Sequence, residues 1–232
     1  MVMSLARSHF EKTKAKELSV AAEAQGLDRT EGNTADQVLA RLRGHEILLK
    51  GIRSKKNKII KKREFLPEYE AYVEGVMASE TGLQDAVLPT IMVWRLDCAD
   101  LVGALEVAAY VIEHDLKLPE RFKRSVPTLF LEELADLTEQ VKPTEQLSLS
   151  YIDAIEEALE LTNNADIPDE VHAKVYKQLG YLLEDRKPNE SLNWLKQALE
   201  YDPKSGVKTK IASLEKSIAK AKEGDDDTQG NT

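Results

Sequence analysis

Eight basic residues lie within fourteen consecutive positions of this chain, and no acidic residue interrupts them. The run carries +8 in a chain whose formal net charge is −9, so one short segment attracts polyanions that the remaining surface repels. A charge run is more often a solvated helix face, but such faces usually alternate in sign. The pattern therefore favours contact with nucleic acid, and the predicted contact residues are Lys50, Arg53, Lys55, Lys56, Lys58, Lys61, Lys62 and Arg63.

The same segment shows helical spacing around a narrow apolar stripe of Ile52, Ile59 and Ile60. Lys55, Lys58 and Lys62 share one predicted face, which we expect to be exposed to solvent, and other basic residues lie on other faces. Aromatic residues that would stack single-stranded bases do not interleave with these lysines. The run therefore predicts contact with the backbone of duplex DNA.

A second pattern suggests metal-dependent nuclease chemistry. Pro168 and Asp169, followed by Asp185, Arg186 and Lys187, satisfy a loose form of the PD-(D/E)xK nuclease motif, in which two carboxylates share a divalent metal ion. Here the two acids flank a predicted helix and would lie about 24 Å apart along its axis. An acidic residue at a helix start is also favoured by the helix dipole. We assign no catalytic residue from this motif.

Other catalytic and metal-binding patterns are weak or missing. Cys98 is the single cysteine, which excludes an internal disulfide and sites with several thiolates. Asp97 and Asp100, with Glu106, could hold a metal ion, but Asp100 is better explained as a helix cap. The sequence has neither a phosphate-binding loop of the Gly-x-x-x-x-Gly-Lys-Ser/Thr type nor a nucleophile triad. We therefore expect no catalytic site, no metal and no cofactor.

The composition, with 42% hydrophobic and 31% charged residues, is typical of a soluble globular chain. No apolar stretch reaches the roughly 18 residues of a membrane span, and the first residues lack the apolar centre of a signal peptide. These features predict a cytoplasmic protein.

Helical periodicity dominates the chain and strand signals are nearly missing, so the predicted fold is all-α. Residues 1–33 are expected to be a flexible segment. Residues 34–80 are expected to form a basic helical hairpin, with one long helix to about residue 64 and a second that starts at Pro67. Residues 81–222 are expected to form an all-helical domain, and residues 223–232 a disordered acidic tail.

Two segments of the helical domain resemble each other. Residues 104–117 and 191–204 align position for position, and each resembles the second helix of a tetratricopeptide-type pair. Residues 173–185 resemble the first helix of such a pair, with Gly180 at the predicted close approach between the helices. Two repeats are too few for a solenoid, so they are interpreted as helix-hairpin packing units. A peptide-binding adaptor remains an alternative.

Several longer segments together resemble the phage terminase small subunit family. They are REFLPEYEAYVEGVM at 63–77, residues 89–135 with the runs WRLD at 94–97 and GALE at 103–106, and residues 159–180 with IPDEV at 167–171. The similarity extends over roughly residues 34–216. It is greatest to the branch from contractile-tailed temperate phages that cut cohesive ends.

The resemblance implies a role in packaging viral DNA. Such a subunit recognises double-stranded viral DNA near its cut site, assembles into a homo-oligomeric ring, and recruits and regulates a large subunit that carries the ATPase and nuclease centres. It would act in the cytoplasm of the bacterial host. The family carries no fixed DNA-contact motif that transfers to this chain, so the DNA-binding residues are predicted from charge alone. Relatives with a basic tail differ from this chain, which ends in an acidic one.

Three hypotheses follow from the sequence. The first is a non-enzymatic, oligomeric DNA-recognition subunit of a packaging motor. The second is a tetratricopeptide-like adaptor that binds peptides. The third is a metal-dependent endonuclease subunit, since members of this branch often carry that label.

Overall fold

The structure is a computed structural model that describes residues 33–119, 122–140 and 145–229, with side chains described for all of these except 33–34, 145–148 and 222–229. Every regular element in these ranges is a helix, so the all-α prediction is confirmed. The segment predicted to be flexible, residues 1–33, lies outside the described residues except for Asn33. None of the described helices is both long enough and apolar enough to span a bilayer.

The chain divides into two compact units, Met1–Phe130 and Leu131–Thr232. The division between these units lies within a helix. Within the described residues, the first unit contains five complete α-helices and a single-turn 3-10 helix, Leu66–Glu68. The α-helices are α1 (Asn33–Gly51), α2 (Lys55–Phe65), α3 (Glu70–Met77), α4 (Leu88–Asp97) and α5 (Leu101–Glu113).

Helix α6 (Val126–Gln140) begins in the first unit and ends in the second. The described part of the second unit also contains four complete helices, which are α7 (Glu145–Leu161), α8 (Asp169–Leu183), α9 (Pro188–Tyr201) and α10 (Lys208–Gln229). The backbone of α10 thus extends into the acidic segment for which the sequence predicts disorder.

The basic segment forms two helices where the sequence predicted one. Gly51 ends α1, and the Ser54 side chain accepts a hydrogen bond from the backbone N–H of Asn57 at 3.3 Å as the N-cap of α2. A glycine has low helix propensity and a serine is a favoured N-cap, so the break has a local cause. The chain therefore turns back at residues 52–54, and not only at Pro67, which lies in the 3-10 turn.

The core of the first unit forms where α3, α4 and α5 meet. Asp85 is fully buried and organises the start of α4: its carboxylate accepts hydrogen bonds from the backbone N–H groups of Val87 and Leu88 and from the Tyr72 hydroxyl. Asp100 caps α5 through the N–H of Gly103 at 3.2 Å, as the sequence predicted. The largest fully buried side chains here include Tyr69, Leu88, Ile91, Met92 and Phe130.

In the second unit, α8 and α9 form a close helical pair. Gly180 lies against Leu195, and the Ser191 hydroxyl donates a buried 2.6 Å hydrogen bond to the Gly180 carbonyl. The predicted close approach at Gly180 is thus present. Helix α10 packs on α9 through a small core of Leu195, Val207, Ile211 and Leu214.

Candidate nucleic-acid interface

Helices α1 and α2 form a short hairpin whose base is fixed by aromatic and polar contacts. The His45 ring stacks on Phe65, with centroids 3.7 Å apart and planes within 5°. His45 Nδ1 and the Tyr69 hydroxyl lie 2.8 Å apart, and Arg41 donates to the Glu68 carbonyl at 3.0 Å. Because the middle of α1 meets the C-terminal end of α2, the turn at residues 52–54 forms the free end of the hairpin.

Two of the eight predicted DNA-contact residues belong to the base of the hairpin. Lys62 forms an ion pair with Asp97 and stands 5.9 Å from the centroid of the Trp94 ring. Arg63 donates to the Cys98 carbonyl at 3.1 Å. The expectation that Lys62 faces solvent alongside Lys55 and Lys58 is therefore wrong. The C-terminal end of α2 packs against the C-terminal end of α4, and Lys62 lies at that contact.

Lys61 lies on the exposed side of α2 but is paired with Glu64 at 2.5 Å. The remaining five basic residues lie near the free end of the hairpin, and none of their side chains forms an ion pair or hydrogen bond with a described residue. We call these five the tip cluster: Lys50, Arg53, Lys55, Lys56 and Lys58. Four are exposed and Lys58 is partly buried.

The N-terminal turn of α2 carries positive charge where a helix favours negative charge. It contains Lys55 and Lys56 and no acidic residue. Cations at this end oppose the helix dipole by about 0.3–1 kcal/mol, whereas an anion is stabilised both by the dipole and by free backbone N–H groups. A phosphate at this end of α2 would therefore remove an unfavourable interaction and gain a favourable one.

The hairpin also exposes apolar side chains that the sequence analysis did not single out. Ile47 and Leu48, in the last turns of α1, are 68% and 59% exposed, and Ile60 on α2 is 45% exposed. An open depression of about 240 Å³ lies beside the turn and is lined by Ile52, Asn57, Ile60 and Lys61. The sequence contains a signal for Ile47 and Leu48. Both are apolar, but they lie outside the helical stripe formed by the buried residues Leu42 and Leu49.

A protein-family model matches the segment of the chain that contains this hairpin. The model of the family described as "Phage small terminase subunit" matches residues 39–170, which include most of α1, the tip cluster and α2. The chain belongs to the phage small terminase subunit family. It is therefore a protein of phage DNA packaging, in agreement with the resemblance seen in the sequence.

A curated relative supports the same family over a longer span. The chain is 35% identical over 201 residues to "Terminase, endonuclease subunit" of Escherichia phage P2, which covers 86% of this chain and 81% of the relative. No solved structure matches the chain.

In this member of the small terminase family, the residues of the loose nuclease motif are far apart. Asp169 is in the first turn of α8 and Asp185 follows its end, so a helix of 15 residues, about 22 Å long, separates them. Their carboxylates cannot share one metal ion, whose ligands lie within about 2.6 Å of it. No group of three or more His, Cys, Asp or Glu side chains in the described ranges is arranged to hold a metal.

Two of the other candidate metal ligands, Asp97 and Asp100, already have cationic partners. Asp97 pairs with Lys62, and Asp100 lies 3.4 Å from Arg95 while it caps α5. Burial raises the pKa of the Cys98 thiol to about 11, so it stays protonated and unreactive at neutral pH. The geometry explains these residues as parts of the helix framework.

An aromatic cluster on α8 and α9 is a feature that sequence reasoning missed. Tyr176 lies 5.3 Å from Trp194 and 5.4 Å from Tyr201, and His172 lies 5.2 Å from Tyr201, all between ring centroids. Trp94 is buried, whereas Trp194 is only partly buried. Partly exposed Trp and Tyr side chains are typical of protein-binding surfaces.

Proposed function

We propose that this small terminase subunit is a non-enzymatic DNA-recognition protein that binds duplex phage DNA near the packaging or cohesive-end site. It self-assembles into a ring and recruits or regulates the large subunit, which supplies ATPase and nuclease activity, in the cytoplasm of the bacterial host. The tip cluster of the α1–α2 hairpin makes the contact with DNA phosphates.

The observation that carries this proposal is the division of the basic run into a fixed part and a free part. Lys62 and Arg63 hold the hairpin to the end of α4, whereas the tip cluster has no described partner for its charge. Unpaired cations on an otherwise acidic protein favour binding of a polyanion. Five free cations, rather than eight, set the number of phosphates that this hairpin neutralises.

The test is a substitution of three tip residues: Lys55→Gln, Lys56→Gln and Lys58→Gln together. Each phosphate contact contributes about 0.9 to the slope of log K against log salt concentration, so the slope for duplex DNA should become shallower by about 2.7. Fluorescence anisotropy over a salt series measures this slope. The matched control is Lys208→Gln, Lys216→Gln and Lys220→Gln, three exposed lysines of α10 whose loss changes the net charge equally.

Equal loss of affinity in both triple variants would show that binding depends on net charge and not on the tip cluster. Unchanged affinity and slope in the tip variant would move the DNA contact elsewhere in the chain. Glutamine is chosen because it preserves helix propensity and adds no negative charge.

The assembly part of the proposal is supported by the exposed apolar residues of α1. Ile47 and Leu48 are adjacent large aliphatic side chains that lie largely in water, and such patches usually mark a contact surface. A closed ring buries the same surface on every subunit.

A second candidate function, a protein-interaction adaptor, is favoured by the aromatic cluster of Tyr176, Trp194 and Tyr201. The cluster is also suited to recruitment of the large subunit, so the two functions are compatible. The salt series separates them, because an adaptor without a nucleic-acid role would show no salt-dependent binding to DNA.

A further inference from the structure

Asn57 is the one residue of the sequence KKNKIIKKREF, which forms α2, whose side chain both donates and accepts hydrogen bonds. It lies among the lysines of the tip cluster, one helical position from Lys56 and Lys58. Its backbone N–H is bonded to Ser54, but its exposed amide group forms no hydrogen bond with a described residue. A free amide is therefore presented beside free cations.

Asn57 also borders a largely apolar depression. It lines the 240 Å³ depression together with Ile52, Ile60 and Lys61. Ile60 is 45% exposed and Ile52 is partly exposed, so the walls of the depression are aliphatic surface in contact with water. The depression thus combines one amide with two branched aliphatic side chains.

Folding of the hairpin does not account for this combination. Asn57 occupies the third position of α2 after the Ser54 cap, where Glu or Gln would close a capping box. Asparagine also has lower helix propensity than the lysines around it, and an exposed isoleucine contributes little to stability. These side chains are better suited to a ligand than to the hairpin itself.

We propose that Asn57, between Ile52 and Ile60, reads the base edges of an A·T pair in the major groove of the DNA that the tip cluster holds. This inference rests on the proposed DNA binding and adds a sequence-determining residue to it. The tip cluster supplies affinity through phosphates, and Asn57 supplies discrimination between bases.

The chemistry of the groove fits this set of side chains. Adenine presents an N7 acceptor and an N6 donor, which the asparagine NH₂ and carbonyl satisfy together. Guanine presents two acceptors, N7 and O6, and leaves the asparagine carbonyl without a donor. The thymine methyl group is an apolar contact for an isoleucine side chain. The major groove is about 12 Å wide, which admits one α-helix such as α2.

The first experiment selects duplexes with a randomised core by binding to the wild-type full-length chain, and then measures the affinity of the enriched duplex relative to a scrambled one. Asn57→Ala is expected to lower this specificity ratio by about five- to 150-fold while leaving the slope of log K against log salt unchanged. The Lys55→Gln, Lys56→Gln, Lys58→Gln variant is expected to show the opposite pattern, with a shallower slope and a retained ratio.

The second experiment changes the DNA and leaves the protein intact, so it does not depend on the folding of a variant. At the preferred A·T pair, 7-deaza-adenine removes the N7 acceptor, and uracil in place of thymine removes only the methyl group. Both are expected to weaken binding to the wild type. The Asn57→Ala variant should not respond to 7-deaza-adenine, and Ile60→Ala should respond less to uracil.

The outcomes separate base reading by Asn57 from phosphate binding by the tip cluster. A wild-type chain that binds DNA but enriches no sequence, or an Asn57→Ala variant that keeps the full ratio, overturns the assignment of base reading and leaves phosphate binding intact. Failure of the wild type to bind any duplex overturns the proposed function itself. A change in oligomeric state of Asn57→Ala or Ile60→Ala, with the ratio kept, would assign the depression to subunit contact instead.

Discussion

Gly180 and Gly44 both lie within helices, but the first is closely packed and the second is open. A Cβ atom at Gly180 of α8 would lie 2.7 Å from Leu195 side-chain atoms, whereas a Cβ atom at Gly44 of α1 would meet nothing within 4 Å. We expect Gly180→Ala to destabilise the protein by about 1–3 kcal/mol through overpacking, partly offset by helix propensity. Gly44→Ala should stabilise it by about 0.5–1 kcal/mol. Thermal melts of both variants check the pair.

A higher melting temperature for Gly180→Ala would show that Leu195 moves aside at little cost. Gly44→Ala is the matched control, because it makes the same chemical change in a helix without the close neighbour.

The stacked histidine at the base of the hairpin gives a second prediction at this scale. Burial lowers the pKa of His45 below 6.5, with Glu68 opposing this shift and Arg41 adding to it. The unfolded chain therefore binds a proton first, and the free energy of unfolding should decrease as the pH falls below about 6.5 towards the lower folded pKa. His45→Gln should reduce this decrease.

Denaturant titrations at about pH 7.5 and pH 5.5 measure the effect. Burial also lowers the pKa of His172, although Asp169 opposes that shift, so some pH dependence should remain in the single variant. The His45→Gln, His172→Gln double variant should show the least. An identical decrease in stability for the wild type and the double variant would contradict the prediction.

Among the secondary-structure elements, the all-helical character was predictable, because apolar periodicity and caps such as Asp100 mark helices locally. It missed the break at residues 52–54, since the apolar stripe of Ile52 and Ile59 continues through it. The Gly51 and Ser54 signals were present but were outweighed by that stripe. The ion pair of Lys62 with Asp97 joins residues 35 positions apart, so charge counting alone could not separate fixed from free lysines.

The length of α8 leads to a prediction about the nuclease motif. We expect Asp169→Ala and Asp185→Ala to leave DNA cutting by the complete terminase intact, because α8 holds their carboxylates too far apart to share a metal. Asp169 makes no side-chain cap bond, so its loss should cost only the dipole contribution of about 0.3–1 kcal/mol.

The measurement is cleavage of a cohesive-end substrate by each variant mixed with wild-type large subunit and ATP, with thermal melts in parallel. A folded Asp169→Ala variant that binds DNA and the large subunit but no longer permits cutting would revive the endonuclease interpretation.

For the molecule as a whole, the proposed self-association can be tested by measuring its mass in solution. We expect the wild type to form a closed oligomer at micromolar concentration, and Ile47→Gln with Leu48→Gln to shift it towards smaller species, because the pair is the largest exposed aliphatic surface on α1. Light scattering coupled to gel filtration measures the mass. Val102→Gln, a 71% exposed aliphatic residue elsewhere, is the control.

A stable wild-type monomer would contradict the assembly proposal outright. Equal masses for the wild type and the Ile47→Gln, Leu48→Gln variant would leave assembly in place but assign the contact to another surface.

The charge asymmetry and the family resemblance were both visible in the sequence, and the family is confirmed. Which surface of each helix faces solvent was not visible, because that depends on packing between distant segments. The aromatic cluster of α8 and α9 shows the same limit: His172, Trp194 and Tyr201 are separated in sequence and meet only when the two helices pair.

The fixed base of the α1–α2 hairpin has a consequence for the rate of the proposed DNA binding. The His45–Phe65 stack and the Lys62–Asp97 ion pair hold the backbone in place before any ligand arrives. In the DNA binding that we propose, encounter then requires only the ends of the five tip-cluster side chains to become ordered, with no folding step. Association should proceed at the rate of electrostatically guided diffusion, so a packaging complex could sample many sites along a genome in a short time.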